Sequence, residues 1–311
     1  MFKFIHTSFI IIFGKENGMK GKKILTAFLL NLGFSIIEIF GGIFSGSIAI
    51  LSDAFHDFGD ALSIALSFFL ERKSGKKADS EYTFGYARFS TLGAFITNLS
   101  LLIGSIGIIV ASVHRLFEPV EVKSDIMIIL AIIGIVVNLL ATLVVSKGDN
   151  LNHKAISFHM LEDVLGWVAV LVGAIIMRIT GFAYLDSILS IVFSTFIFIR
   201  SFKDIKKITE LFLLKTPEDI KLEKIEKEIE KIKGVINVHH LHIWSMDEIN
   251  HCATMHVVCG DNEEEIKKNI KEKIRDFGIT HATIETERET DNCCEKECKG
   301  FCVSKHHHHH H

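Results

Sequence analysis

A bundle of six membrane-spanning helices followed by a small α/β domain is the fold class that the sequence predicts. Three observations carry it. Hydrophobic residues make up 49% of the 311 positions, they cluster in long runs, and the runs stop near residue 202, where Lys and Glu take over. Two Pro against 25 Phe, with a positive mean hydropathy, exclude a disordered chain. A net charge of −3 argues against a nucleic-acid partner, whose capture rests on a basic surface. The six Cys are not a secreted disulfide scaffold, because Cys293, Cys294, Cys298 and Cys302 crowd into one short tail.

Residues 1–23 read as a cytoplasmic N-terminal segment. Its apolar run, Phe9 to Phe13, is too short to span and has no cleavage site, so no signal peptide is predicted. Met19, followed by Lys20, Lys22 and Lys23, is the more natural start. Six runs then reach the ~20 residues that a helix needs to cross a bilayer. They cover 24–44, 47–70, 88–113, 125–146, 155–178 and 184–202, which makes 24–202 the membrane domain. The fourth is the cleanest, with only Asn138 and Thr142 as polar interruptions between Ile126 and Val145. With the N-terminus inside, the inner segments carry sixteen Lys and Arg and the outer ones three, Arg115, Lys123 and Arg178. By the positive-inside rule both termini are cytoplasmic, in a cell (inner) membrane.

Residues 203–290 form the soluble domain: helix 217–232, strands 236–244 and 252–259, helix 262–277, strand 280–286. Gly234 and Gly278 follow the two helical patterns, where a left-handed stop residue belongs. The αββαβ order predicts a small open-faced sandwich of ferredoxin-like type. Residues 291–305 have no apolar periodicity and read as a Cys-rich tail, and His306 to His311 are an expression tag.

The chemistry lies in the two least apolar spans. His56 and Asp60 in the second are four apart and share one helical face, ~6 Å along the axis. His159 and Asp163 in the fifth repeat that spacing. Ionisable groups at such depth cost ~3 kcal/mol each or more. One divalent cation compensates two imidazoles and two carboxylates, and the mixed nitrogen and oxygen set suits tetrahedral Zn²⁺. Binding needs neutral His and ionised Asp, so metal and protons compete for the same groups, and unperturbed His titrates near pH ~6.5. Asp53, Asp57 and Glu162 read as structural or gating residues. Asp186 reads as the N-cap of the sixth span. Asn31, Glu38, Asn98 and Asn138 read as interhelical hydrogen bonds.

These residues resemble the signature of the cation diffusion facilitator family. The match runs through Ser47, Ala49, Asp53, His56, Asp60 and Ser63, with His159 and Asp163 as the second half-site. Thr83 to Arg88 is similar to the family's loop before the third span, and His240-Leu-His242-Ile-Trp244 with His256 is similar to its cytoplasmic domain. The likeness covers about residues 20–290. It implies a homodimeric exporter in the lipid bilayer, moving Zn²⁺ and related ions against protons as counter-ion, by alternating access. It further implies a cytoplasmic zinc site on His239 and His256, with Glu285 or Glu287 third and His281 or His240 completing or flanking it. Three departures stand out. Tyr82 and Tyr86 occupy the positions of metal-binding loop histidines in some members; Glu210 is the only candidate to pair with Arg88; and the four tail Cys exceed the usual bacterial pattern.

Strand alternation predicts His240, His242 and Trp244 on one face and His239 on the other. The four tail Cys fit either thiolate capture of Zn²⁺ or a reduced flexible tail. Cd²⁺, Co²⁺, Mn²⁺ or Fe²⁺ as main cargo are alternatives, and ligand type does not separate zinc from Cd²⁺ or Co²⁺. An intramembrane metalloenzyme lacks a HExxH helix and an open coordination position. A passive channel needs weak multi-site binding rather than one cage.

Overall fold

The computed structural model describes residues 19–145, 151–247 and 249–290, with side chains for these except 19–31, 64, 67–68, 71–72, 141–145 and 151–160. The chain divides between Ile208 and Thr209 into two compact units.

The first unit is helical. Its helices are α1 (Met19–Ser45), α2 (Ile48–Ser74), α3 (Arg88–Phe117), α4 (Ser124–Val145), α5 (Leu151–Thr180) and α6 (Tyr184–Phe212). Each apolar run of the sequence falls on one of them, except that residue 47 precedes α2 and residue 146 lies outside the described residues. Their ends follow backbone chemistry. Gly46, at φ +72°, closes α1 with Ser47 N donating back to Gly42 O, and Gly181, at φ +68°, closes α5 on Met177 O. Pro119 follows the end of α3.

Among the described residues, Arg88–Phe117, Leu161–Thr180 and Tyr184–Phe212 are long and apolar enough to cross a membrane, and Leu32–Ser45 and Ser124–Leu140 are shorter apolar stretches. Helix α2 is as long but carries Asp53, Asp57 and Asp60. Apolar side chains such as Ile103, Val110, Leu165 and Phe196 point outward, while Ser35, Glu38, Ser52, Asp57 and Asp186 are buried. That inverted distribution suits a hydrocarbon solvent. Phe34, Ile50, Met127, Ala131, Trp167 and Val170 form the apolar centre. Helix α2 packs along α1 and α3, and α4 along α5. Gly134 lets α4 lie against the Trp167 indole, where an added Cβ would overlap the ring.

The second unit realises the αββαβ order with α7 (Leu222–Glu230), β1 (Val235–Ser245), β2 (His251–Cys259), α8 (Glu263–Arg275) and β3 (Ile279–Glu287). The sheet order is β1-β2-β3, antiparallel between the first pair and parallel between the second. Ile225 and Ile229 of α7 and Ile266, Ile270 and Ile274 of α8 cover one face, against Val238, Ile243, Met255 and Val257. Gly234 and Gly278 have φ +96° and +76°, as the stop-residue reading expects. The first helix is shorter than its pattern, because residues 217–221 form a turn closed by Ile220 N donating to Pro217 O.

Candidate metal centres

Helix α2 places His56 and Asp60 on one face, with Nε2 and Oδ2 4.0 Å apart and both side chains partly exposed. Asp163 is on α5, one turn after His159, whose side chain lies outside the described residues. The Asp163 carboxyl interacts electrostatically with Asp53 and Asp57 of α2 and with Glu38 of α1. Acidic groups of three helices therefore converge beside the second-span pair.

Glu38 is the residue that the sequence undervalued. It is fully buried, and its carboxyl engages the Asp57 carboxyl of the neighbouring helix. Its contact with Asp57 runs from α1 to α2. Asn98 differs from the interhelical reading: its amide donates to Ala94 O of its own helix. Asn31 lies outside the described side chains. Glu162 sits beside Asp163 and pairs with Arg200 of α6 at 3.4 Å. Asp186 does not cap its own helix: it accepts from Ser47 Oγ, Ile48 N and Ala49 N and so caps α2. Ser47 reaches it because the starts of α2 and α6 meet side by side.

On the sheet, His239 pairs with His256 and His256 with Glu285. A bulge lies between His239 and His242, with His240 in the left-handed region at φ +52°. One extra residue flips the alternation. Val238 before the bulge and Ile243 after it both face the core, so His239, His242 and Trp244 share the open face. The expected separation of His239 from His242 is thereby corrected. The His240 ring lies 5.0 Å from that of His256 and 4.7 Å from that of His242. Burial, then His240 and His256, hold the His242 imidazole below its ordinary value.

His239, His256 and Glu287 offer ligand atoms that lie within 4.8 Å of one another. Glu287 Oε1 accepts from His256 Nδ1 at 2.6 Å, and its Oε2 is 3.4 Å from His239 Nε2. That His239 nitrogen is buried without a well-formed hydrogen bond, as a metal-ligating nitrogen would be before loading. Glu285 lies 3.5 Å from His256 but its side chain is 70% exposed, against 12% for Glu287. His281 pairs with Cys252, four residues before Glu285, ~13 Å along the strand. The structure does not bring it to this group. Cys293, Cys294, Cys298 and Cys302 lie outside the described residues.

Residues 24–213 match the family model of the cation efflux transmembrane domain, and 217–289 that of the cation efflux protein, cytoplasmic domain. The chain belongs to the cation diffusion facilitator family. It is 34% identical to a cadmium, cobalt and zinc/H(+)-K(+) antiporter of Bacillus subtilis, over 89% of this chain and 92% of the relative. It is 32% identical to the zinc transporter ZitB of Yersinia pestis, over 92% and 93%. It is 33% identical to the metal cation efflux system protein CzcD of Cupriavidus metallidurans, over 88% and 87%.

As a cation diffusion facilitator the protein is a multi-pass membrane transporter of divalent metal cations, not an enzyme. The loop before α3 is held by aromatic side chains. Tyr82, Tyr86 and Phe89 pack on one another at tilted and edge-on angles, and Tyr86 Oη donates to Asp79 at 2.6 Å. That bond pushes the phenol up to about 12 and pulls the Asp79 carboxyl down. Glu210 binds Lys215 Nζ at 2.7 Å.

Proposed function

We propose that the protein exports Zn²⁺ from the cytoplasm in exchange for protons, as a homodimer with both termini inside. The observation that carries this is the doubled His-x-x-x-Asp pair, His56/Asp60 on α2 and His159/Asp163 on α5. Two carboxylates neutralise the ion and two imidazoles select a borderline metal, without the grip of four thiolates. Cargo held this way can leave. Protonation of the same groups on one side of the membrane displaces the metal, and their deprotonation on the other restores the cage. The excess of basic residues on the inner segments supports the orientation. The names of the Yersinia and Bacillus relatives, which include zinc and H(+), support cargo and counter-ion.

In the soluble unit, His239, His256 and Glu287 would hold a zinc ion, with His240 beside them. These side chains come from β1, β2 and β3, so holding an ion together would tie the three strands on the open face of the sheet. We assign it the role of favouring the associated form of the soluble domains when cytosolic metal is high. Cd²⁺ and Co²⁺ form the competing reading, since the Bacillus relative's name covers both and the ligand set does not reject them.

The test is metal flux into liposomes holding the purified protein, under imposed pH gradients, with Zn²⁺, Cd²⁺ and Co²⁺ in parallel. Uphill Zn²⁺ movement driven by the gradient is expected, falling at least about 10-fold in Asp163→Ala, since even outer-sphere losses cost that much. Downhill flux indifferent to the gradient would indicate a channel and defeat the proposal. A gradient-driven flux of Cd²⁺ or Co²⁺ exceeding that of Zn²⁺ would reassign the cargo.

A further inference from the structure

We infer that Asp186 is a positioning residue for the transport site: it ties the start of α2 to α6 and so sets the depth and rotation at which His56 and Asp60 are presented. The inference rests on the transport reading above.

Asp186 is 1% exposed and lies in the first turn of α6. Its carboxylate accepts from Ser47 Oγ at 2.5 Å, Ile48 N at 2.8 Å and Ala49 N at 3.3 Å, all at the start of α2 and some 139 residues away in the chain. Ser47 Oγ accepts in turn from Ile50 N at 3.1 Å. Ser47 is already a good capping residue, so α2 does not need a buried carboxylate merely to begin. Bringing that charge out of water costs desolvation. What the carboxylate adds is a link between two helices.

A second link follows further along. Ser52 Oγ and Ser194 Oγ lie 2.9 Å apart, again joining α2 to α6. Both links precede His56, which is eight residues beyond Ile48, ~12 Å along a stiff helix. A shift at the start of α2 is therefore delivered to the ligands almost undiminished. Arg115 of α3, which donates to Gly46 O, is within electrostatic range of the Asp186 carboxylate and steadies the same corner. Helix α6 also meets α5 through the Arg200–Glu162 ion pair, Glu162 being the neighbour of Asp163. Helix α6 thus touches both half-site helices through polar side chains, and at its α2 end Asp186 supplies three of the bonds.

The experiment places all variants in a His239→Ala/His256→Ala background with Cys293, Cys294, Cys298 and Cys302 changed to Ser and the His tag removed, so that zinc binding reports the membrane site. Asp186→Asn, Ser47→Ala and the exchange Ser47→Asp/Asp186→Ser are compared with that parent and with His56→Ala. Equilibrium binding of Zn²⁺ in detergent is measured alongside KM and maximal rate of gradient-driven flux. Asp186→Asn is expected to weaken zinc binding and raise KM about 10-fold, the size of one lost charge-assisted hydrogen bond, with the maximal rate within about twofold. The exchange, which rebuilds the link in reverse, is expected to recover most of the loss. An Asp186→Asn protein with the parent's KM and zinc affinity overturns the inference, even if it melts earlier. So does an exchange variant no better than the singles. Should Asp186→Asn fail to fold, Ser47→Ala removes one bond and carries the same comparison. A parent that binds no zinc better than His56→Ala defeats the transport reading, whereas a binding parent matched by Asp186→Asn defeats this inference alone.

Discussion

Glu287 lies diagonally across the sheet from His256, yet it reaches that imidazole at 2.6 Å and the His239 nitrogen at 3.4 Å. Glu285, directly opposite His256, turns most of its side chain to solvent. A ligand must be held before the metal arrives, and burial between two rings holds Glu287. Glu287→Gln is therefore expected to weaken zinc binding by the soluble unit at least about 10-fold, with Glu285→Gln within about threefold of the parent, as read by titration calorimetry. Equal losses in the two variants would show that the exposed carboxylate is recruited on loading. In the loop before α3, Tyr86 likewise commits its hydroxyl to Asp79.

Helices α7 and α8 are joined across their polar edges by Glu228, which accepts from Lys231 at 2.6 Å and pairs with Lys273 of the neighbouring helix at 3.0 Å. The hydrogen bonds from Lys231 and then Lys273 draw its carboxyl from 4.5 down to about 2. A depressed carboxyl value stabilises the folded form in full above pH ~4.5 and loses that contribution as the pH falls towards 2. Glu228→Gln is expected to lower the melting temperature slightly at neutral pH and to flatten its fall between pH ~4.5 and 2. Melting curves followed by circular dichroism check this, and an unchanged acid slope would remove the pair from the account. The effect is small because the pair is solvent-exposed.

Each of the two units has an apolar centre of its own, one around Trp167 and Met127, the other around Ile225, Ile270 and Met255. The soluble unit consequently does not depend on metal for its fold, unlike a zinc finger. Chelation is expected to leave its far-ultraviolet circular dichroism intact while abolishing any zinc-dependent association. Ile270→Ala, at a fully buried position, is expected to cost about 2–5 kcal/mol in denaturant unfolding of that unit, metal present or not. Loss of secondary structure on chelation alone would contradict this division of labour.

Long apolar runs, the doubled His/Asp spacing and the αββαβ order could all be read from one strand of text, because hydrophobic periodicity and i, i+4 geometry are local properties of the chain. Gly234 and Gly278 were equally legible, since a left-handed stop is a demand on one residue. Partner choice was not. That His239 shares a face with His242 follows from a bulge set by pairing with β2, and no count along β1 contains it. That Glu287 rather than Glu285 sits between the two imidazoles depends on side-chain reach across three strands. That Asp186 serves α2 instead of its own helix depends on which helix ends meet, 139 residues apart. Hydrogen bonds act over 3 Å and are indifferent to sequence distance, so the packing of the folded chain, not the order of its residues, selected those partners.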